Sequence, residues 1–201
     1  MSTAYCFDLS GTLIRQNPLT MIASLVDLTD EVSVLAEAAF NGYLPFENSF
    51  RLIVRLLRDA DLSSVRHVLE TGVEFDLDVL SFIKSQPDNS FVISSNLDLW
   101  VKPLLDRIGV NWIASQSQLR CDGSLEGVAY ILNKGDAVQE LRGRFERVVA
   151  VGCGVNDVPM FESADVRIAY AGVCYPNKFL VELSDFVVGD GKALCRILNM
   201  L

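Results

Sequence analysis

The chain of 201 residues has one histidine. His67 sits in a stretch that reads as helical, where a solvated or capping role suits it, so imidazole catalysis and His-rich metal sites are poorly supported. No apolar run is long enough to cross a bilayer, and Met1-Ser2-Thr3 leads straight into a strand without a charged, cleavable leader. A cytoplasmic protein with no membrane partner is expected. No internal repeat or low-complexity tract is present. The five cysteines, at 6, 121, 153, 174 and 195, are odd in number and lack paired metal-ligand spacing. Reduced, mostly buried thiols follow. The net charge of −9 disfavours a nucleic-acid partner and gives no long-range attraction for an anionic substrate. Any phosphate must be held by local groups.

Half of the residues are hydrophobic, enough for a substantial core, and the length suits one domain with an insertion or two small ones. Residues 3 to 9 form an apolar strand, whereas residues 18 to about 71 contain no convincing strand and read as several helices. Asp30 is the expected cap of one helix that stops at Asn41-Gly42, and Phe46 to Arg58 carries apolar residues at helical spacing. From Leu77 the pattern alternates. A helix to Lys84, strand Phe91–Ser95, helix Leu99–Ile108 and strand Trp112–Ala114 precede a tight hairpin at Asp122-Gly123. Helix 134–142, strand 147–151, helix 157–163, strand 166–169, helix 176–183, strand 185–188 and a last helix complete the chain. Strands alternating with helices predict an α/β fold with a doubly wound parallel sheet and ligands at the carboxyl ends of its strands. The expected division is an α/β core of residues 1–14 and 77–201 and a small helical cap of residues 15–76.

Tyr5-Cys6-Phe7-Asp8-Leu9-Ser10-Gly11-Thr12-Leu13 puts a carboxylate at the end of that first strand, just before a sharp turn. Asp8 reads as a nucleophile, and a surface acid is the bland alternative. An aspartate attacking phosphorus needs its own charge and the phosphate's reconciled by a divalent cation, a lysine and hydrogen-bond donors. Ser94 and Ser95, at the end of the strand through Phe91, offer hydroxyls and backbone N–H groups. Lys134 opens a helix, a poor place for a cation unless an anion is near. Gly152-Cys153-Gly154-Val155-Asn156-Asp157 is a Gly-rich strand-to-helix loop, in which Asp157 is either a helix-start charge or a residue supporting a metal.

Together these segments resemble the haloacid dehalogenase-like superfamily, and within it the phosphoserine phosphatase branch, over nearly the full length. The match includes Asp-x-x-Gly-Thr at 8 to 12, Ser94, Lys134 and the loop 152–157, and it extends to the cap segment Gly42 to Arg51. The resemblance implies Asp8 as nucleophile, Ser94, Ser95, Lys134 and Asn156 as phosphate holders, and Mg2+ held by Asp8, the carbonyl of residue 10, residue 153 and Asp157. A cap segment including Phe46 would choose a small phosphorylated or anionic molecule.

The departures from that pattern matter equally. Ser10 stands where the family has an aspartate serving as general acid, help worth about two to four powers of ten in rate. Cys153 replaces an oxygen ligand with sulfur, a soft donor for a hard ion, and an inert buried thiol is the preferred reading. Asn17 and Ile53 occupy the positions where the branch reads the substrate's ammonium and carboxylate. Phosphoserine is therefore expected to bind poorly. Arg51 and Arg55 could read another anion or be solvated. Two readings stay open: a slow phosphohydrolase or phosphotransferase suited to leaving groups that need no proton, and a catalytically impaired relative binding a small anion or a protein.

Overall fold

The computed structural model describes residues 2–201. In chain order the elements are β1 (Thr3–Phe7), α1 (Pro18–Ala23), α2 (Thr29–Phe40), α3 (Phe46–Leu57), α4 (Leu62–Gly72), α5 (Leu77–Ser85), β2 (Ser90–Leu97), α6 (Asp98–Ile108), β3 (Asn111–Leu119) and β4 (Leu125–Tyr130). They continue with α7 (Lys134–Arg142), β5 (Arg147–Gly152), a 3-10 turn at Val155–Asp157, α8 (Val158–Ser163), β6 (Val166–Tyr170), α9 (Lys178–Leu183), β7 (Phe186–Val188) and α10 (Gly191–Leu198). Among the described residues the strands form one sheet in the order β4-β3-β2-β1-β5-β6-β7.

β1 lies at the centre, parallel to β2 on one side and β5 on the other. The chain winds outward in both directions from that pair, so the carboxyl ends of β1, β2 and β5 border the crevice where doubly wound sheets bind ligands. All five residues of β1 are buried because both faces of the sheet are covered. Tyr5 and Phe7 pack with α5 and α10 on one face, while Ala4 and Cys6 meet α7 and α8 on the other. This alternation is the period of two that a strand imposes. β4 pairs antiparallel with β3, so the sheet is mostly rather than wholly parallel. The hairpin between them turns as expected, with Gly123 at φ +84° and the Asp122 carboxylate accepting from Ser124 N.

Helices α1 to α4 are inserted between β1 and α5. The chain leaves and returns side by side: Arg15 N donates to the Glu74 carbonyl at 3.0 Å and Asp76 N to the Leu13 carbonyl at 2.9 Å. The inserted helices share a second apolar cluster, including Leu19, Val32, Phe50, Ile53 and Leu69, which also takes in Leu97 and Trp100 from the sheet side. On α3 the buried positions are Ser49, Phe50, Ile53, Val54 and Leu57, a single helical face.

Several expectations need correction. Asp30 does not cap its helix: α2 starts one residue earlier, after Leu28, with no side-chain cap bond, and Asp30 only adds a first-turn charge. Gly42 does end that helix region, at φ +77°. β2 and β3 run longer than the apolar cores that signalled them, because Asn96 and Gln116 keep extended backbone without being hydrophobic. The regular helix near 157 begins at Val158, after the 3-10 turn, and α9 begins at Lys178, where the Asn177 side chain caps it through Phe179 N.

Candidate active site

Asp8 follows β1 directly, and its backbone N–H donates to the Val151 carbonyl at 2.9 Å, fixing it beside β5. Gly11, at φ +82°, then turns the chain back; a Cβ there would also stand 2.6 Å from the Cys153 sulfur and 2.9 Å from that of Cys174. Only glycine fits both demands. Lys134, at the first position of α7, is fully buried. Its Nζ donates to Asp8 Oδ1 and, at 2.6 Å, to Asp157 Oδ1. Asp157 Oδ2 accepts from the backbone of Cys153 at 2.9 Å and of Gly154 at 3.0 Å. Gly152 leaves room for that fold of the loop, since a Cβ on it would meet Asp157 Oδ2 at 2.5 Å.

One ammonium thus serves two buried carboxylates. Burial pushes the Asp8 carboxyl up to about 7, the charge of Asp157 adds to the rise, and Lys134 opposes it. For Lys134, burial disfavours the charged form, but Asp157 and Asp8 outweigh it and hold the ammonium above its ordinary range.

A second network joins β1's loop to β2. Asn96 Nδ2 donates to Ser10 Oγ at 3.3 Å and to Ser94 Oγ at 3.2 Å. Asn156 Nδ2 reaches Ser95 Oγ at 3.4 Å. Above these groups lies a cavity of about 240 Å3 whose walls include Asp8, Ser10, Ser95, Asn96 and Asn156 from the sheet side. The inserted helices close the other side.

The expected site residues divide accordingly. Asp8, Ser10, Ser95, Asn156, Asn17, Phe46 and Ile53 line the cavity. Lys134, Asp157 and Cys153 do not line it: Lys134 touches Asp8 and Asp157, and Cys153 Sγ approaches the Ser10 carbonyl. Ser94 is completely buried behind Asn96 and is not part of the wall. Arg51 is the clear departure: it is exposed on the outer face of α3 and borders a separate shallow groove with Arg55 and Glu126. Arg15, Asn96 and Cys174 border the cavity without having been singled out in the sequence.

An aspartate thus ends the central strand with a lysine and a second aspartate gathered beside it. A family model described as haloacid dehalogenase-like hydrolase matches residues 6–162. The chain belongs to that family. Its curated relatives include the phosphoserine phosphatase of Methanocaldococcus jannaschii, 26% identical over 201 residues spanning 90% of this chain and 95% of that protein. That of Halobacterium salinarum is 28% identical over 210 residues, covering 98% and 97%. A solved substrate-bound phosphoserine phosphatase complex superposes with a TM-score of 0.84 at 25% identity, covering 100% of this chain and 99% of its own. A phospho-aspartyl intermediate analogue of phosphoserine phosphatase gives 0.80 at 25% identity, covering 96% and 97%. The chain is thus a phosphoserine phosphatase-like member of the haloacid dehalogenase-like family.

The donors available to a family-type metal can be read directly. Asp8, Cys153 and Asp157 each place one ligand atom within 4.8 Å of the others. Cys153 Sγ also lies 3.7 Å from the Ser10 carbonyl and 2.8 Å from Cys174 Sγ. The hydrogen bond with Cys174, then burial, then the charges of Asp8 and Asp157 push the Cys153 thiol far above its ordinary range. Sulfur is in any case a soft donor. A hard cation demands oxygens, so this donor set fits Mg2+ poorly. The second sulfur, 21 positions further along, comes from the loop after β6, a neighbour that only the sheet order supplies.

Proposed function

We propose that this protein is a slow phosphohydrolase or phosphotransferase that accepts a phosphoryl group from a small phosphorylated metabolite on Asp8, and that it is not specific for phosphoserine. The observation that carries the reading is Asp8 itself: a buried carboxylate at the end of the central strand, touching Lys134 and opening onto the cavity. In this scheme Asp8 attacks phosphorus, the bond to the leaving oxygen breaks, and that oxygen departs with the electron pair. Lys134 offsets charge beside Asp8, while Ser95, Asn96 and Asn156 line the wall where phosphoryl oxygens would lie. Water then attacks the acyl phosphate, releasing inorganic phosphate and restoring Asp8, or a second acceptor takes the group. The segment 15–76 acts as a cap, and no step here is routed through a metal.

Ser10 decides which leaving groups suffice. A serine hydroxyl cannot deliver a proton as a carboxylic acid would, and the Ser10 oxygen here accepts from Asn96 Nδ2. Phenols, with pKa values of about 10, leave without full protonation far more readily than alkyl alcohols do. Hydrolysis of the intermediate lacks the same group as base, so the phosphorylated form should accumulate. Incubation with acetyl phosphate or para-nitrophenyl phosphate tests this by intact mass: one added phosphoryl group, absent in Asp8→Asn, is expected. Neither incorporation nor turnover in the wild-type protein would reject catalysis and favour the reading as an anion- or protein-binding relative.

A further inference from the structure

The cavity above Asp8 is walled on its helical side by Leu19, Phe40, Phe46, Phe50 and Ile53. Leu19, Phe50 and Ile53 are buried, and Phe46 stacks on Phe50 with ring centroids 5.5 Å apart. Two polar atoms on this side are already engaged: Asn17 Oδ1 accepts from Leu19 N at 3.0 Å, and the Ser49 hydroxyl donates to the Leu35 carbonyl at 2.7 Å. Among the described residues, two charged side chains line the cavity, Asp8 and Arg15. An entering ammonium would find no carboxylate except the one already paired with Lys134.

We propose that the organic part of the substrate is an apolar ring or compact branched group, with Phe46, Phe50 and Ile53 as the specificity-determining residues. The inference rests on Asp8 being the phosphoryl site and names the class of molecule presented to it. Size agrees: an apolar cavity of about 150 Å3 admits benzene, and this one, at about 240 Å3, leaves room for a ring and its link to phosphorus. Burial of a ring against these side chains supplies affinity, whereas the ammonium of a zwitterionic amino-acid part would lose hydration without gaining a carboxylate partner. Arg15 is exposed, and its guanidinium makes no hydrogen bond or ion pair among the described residues. At the cavity wall it favours a neutral or anionic outer substituent over a cationic one. The absence of a general acid in Ser10 points independently to the same class, because aryl oxygens are the better unprotonated leaving groups.

Titration calorimetry with benzylphosphonate and O-phospho-L-serine tests the assignment without requiring turnover. Benzylphosphonate should bind the full-length protein about tenfold or more tightly than phosphoserine. Phe46→Ala, and separately Ile53→Thr, should each weaken benzylphosphonate by about fivefold while moving phosphoserine by less than about twofold. Phe46 is only partly buried, so its variant keeps the test informative if the α3 interior does not tolerate threonine. Equal or tighter binding of phosphoserine, no binding of either ligand, or benzylphosphonate affinity indifferent to both substitutions overturns the proposal. Phosphoryl transfer from acetyl phosphate to Asp8, a donor too small to need the apolar wall, is measured in parallel. Transfer without aryl preference removes this inference alone; aryl preference without transfer removes the catalytic reading and leaves the cavity assignment standing.

Discussion

The floor and the roof of the cavity are built on opposite principles. The floor, at the carboxyl ends of β1, β2 and β5, concentrates buried charge: Asp8, Lys134 and Asp157 are each almost or wholly out of water. The roof, from α1 to α3, is mainly apolar, and its Ser49 hydroxyl is bonded back to the Leu35 carbonyl. The contrast separates chemistry from selection. The floor gathers two carboxylates around one ammonium, with Ser10 and Cys153 beside them, whereas the roof offers no carboxylate with which to read an ammonium.

Adding carboxylates to the floor should produce the largest effect. Ser10→Asp combined with Cys153→Asp supplies both a general acid and an oxygen donor. Turnover of an alkyl phosphate with added Mg2+ should rise by about two to four powers of ten in a steady-state phosphate-release assay. An unchanged rate would mean that the floor, too, has lost the geometry for chemistry. Removing the floor's cation tests its place in the fold. Lys134→Met leaves two carboxylates buried without a counter-charge, and breaking a buried pair in this way costs about 3–5 kcal/mol. Urea unfolding should show that loss, and Asp157→Asn added to Lys134→Met should recover part of it. A loss below about 1 kcal/mol would place the pair in the class of solvent-screened surface bridges. The smallest effect belongs to the roof: Asp30→Ala should leave the thermal midpoint of wild type unchanged, because Asp30 caps nothing. A clear drop by calorimetry would show that its first-turn charge matters more than the missing cap bond implies.

The resemblance carried by Asp8, Lys134 and the loop 152–157 was legible because each signal is local: a carboxylate after an apolar strand, a lysine at a helix start, glycines before an aspartate. The α3 pattern was legible too, but one consequence was missed. Residues two apart on a helix point about 200° apart, so Arg51 could not share the face of Ile53. Asn96 escaped because the expected strand stops at Ser95, whereas the backbone pairing is taken up again at Leu97. Cys174 had no local signal at all.

The order of residues therefore determined by itself the α/β alternation, the strand-end carboxylate of Asp8 and the serine and cysteine at 10 and 153, since these depend on neighbours in the chain. Tertiary structure alone decided that Lys134 bridges Asp8 and Asp157, that Cys153 meets Cys174, and that the wall facing Asp8 is apolar. Each of these rests on distances between segments far apart in sequence. Sheet order and helix packing set such distances, and no local propensity encodes them.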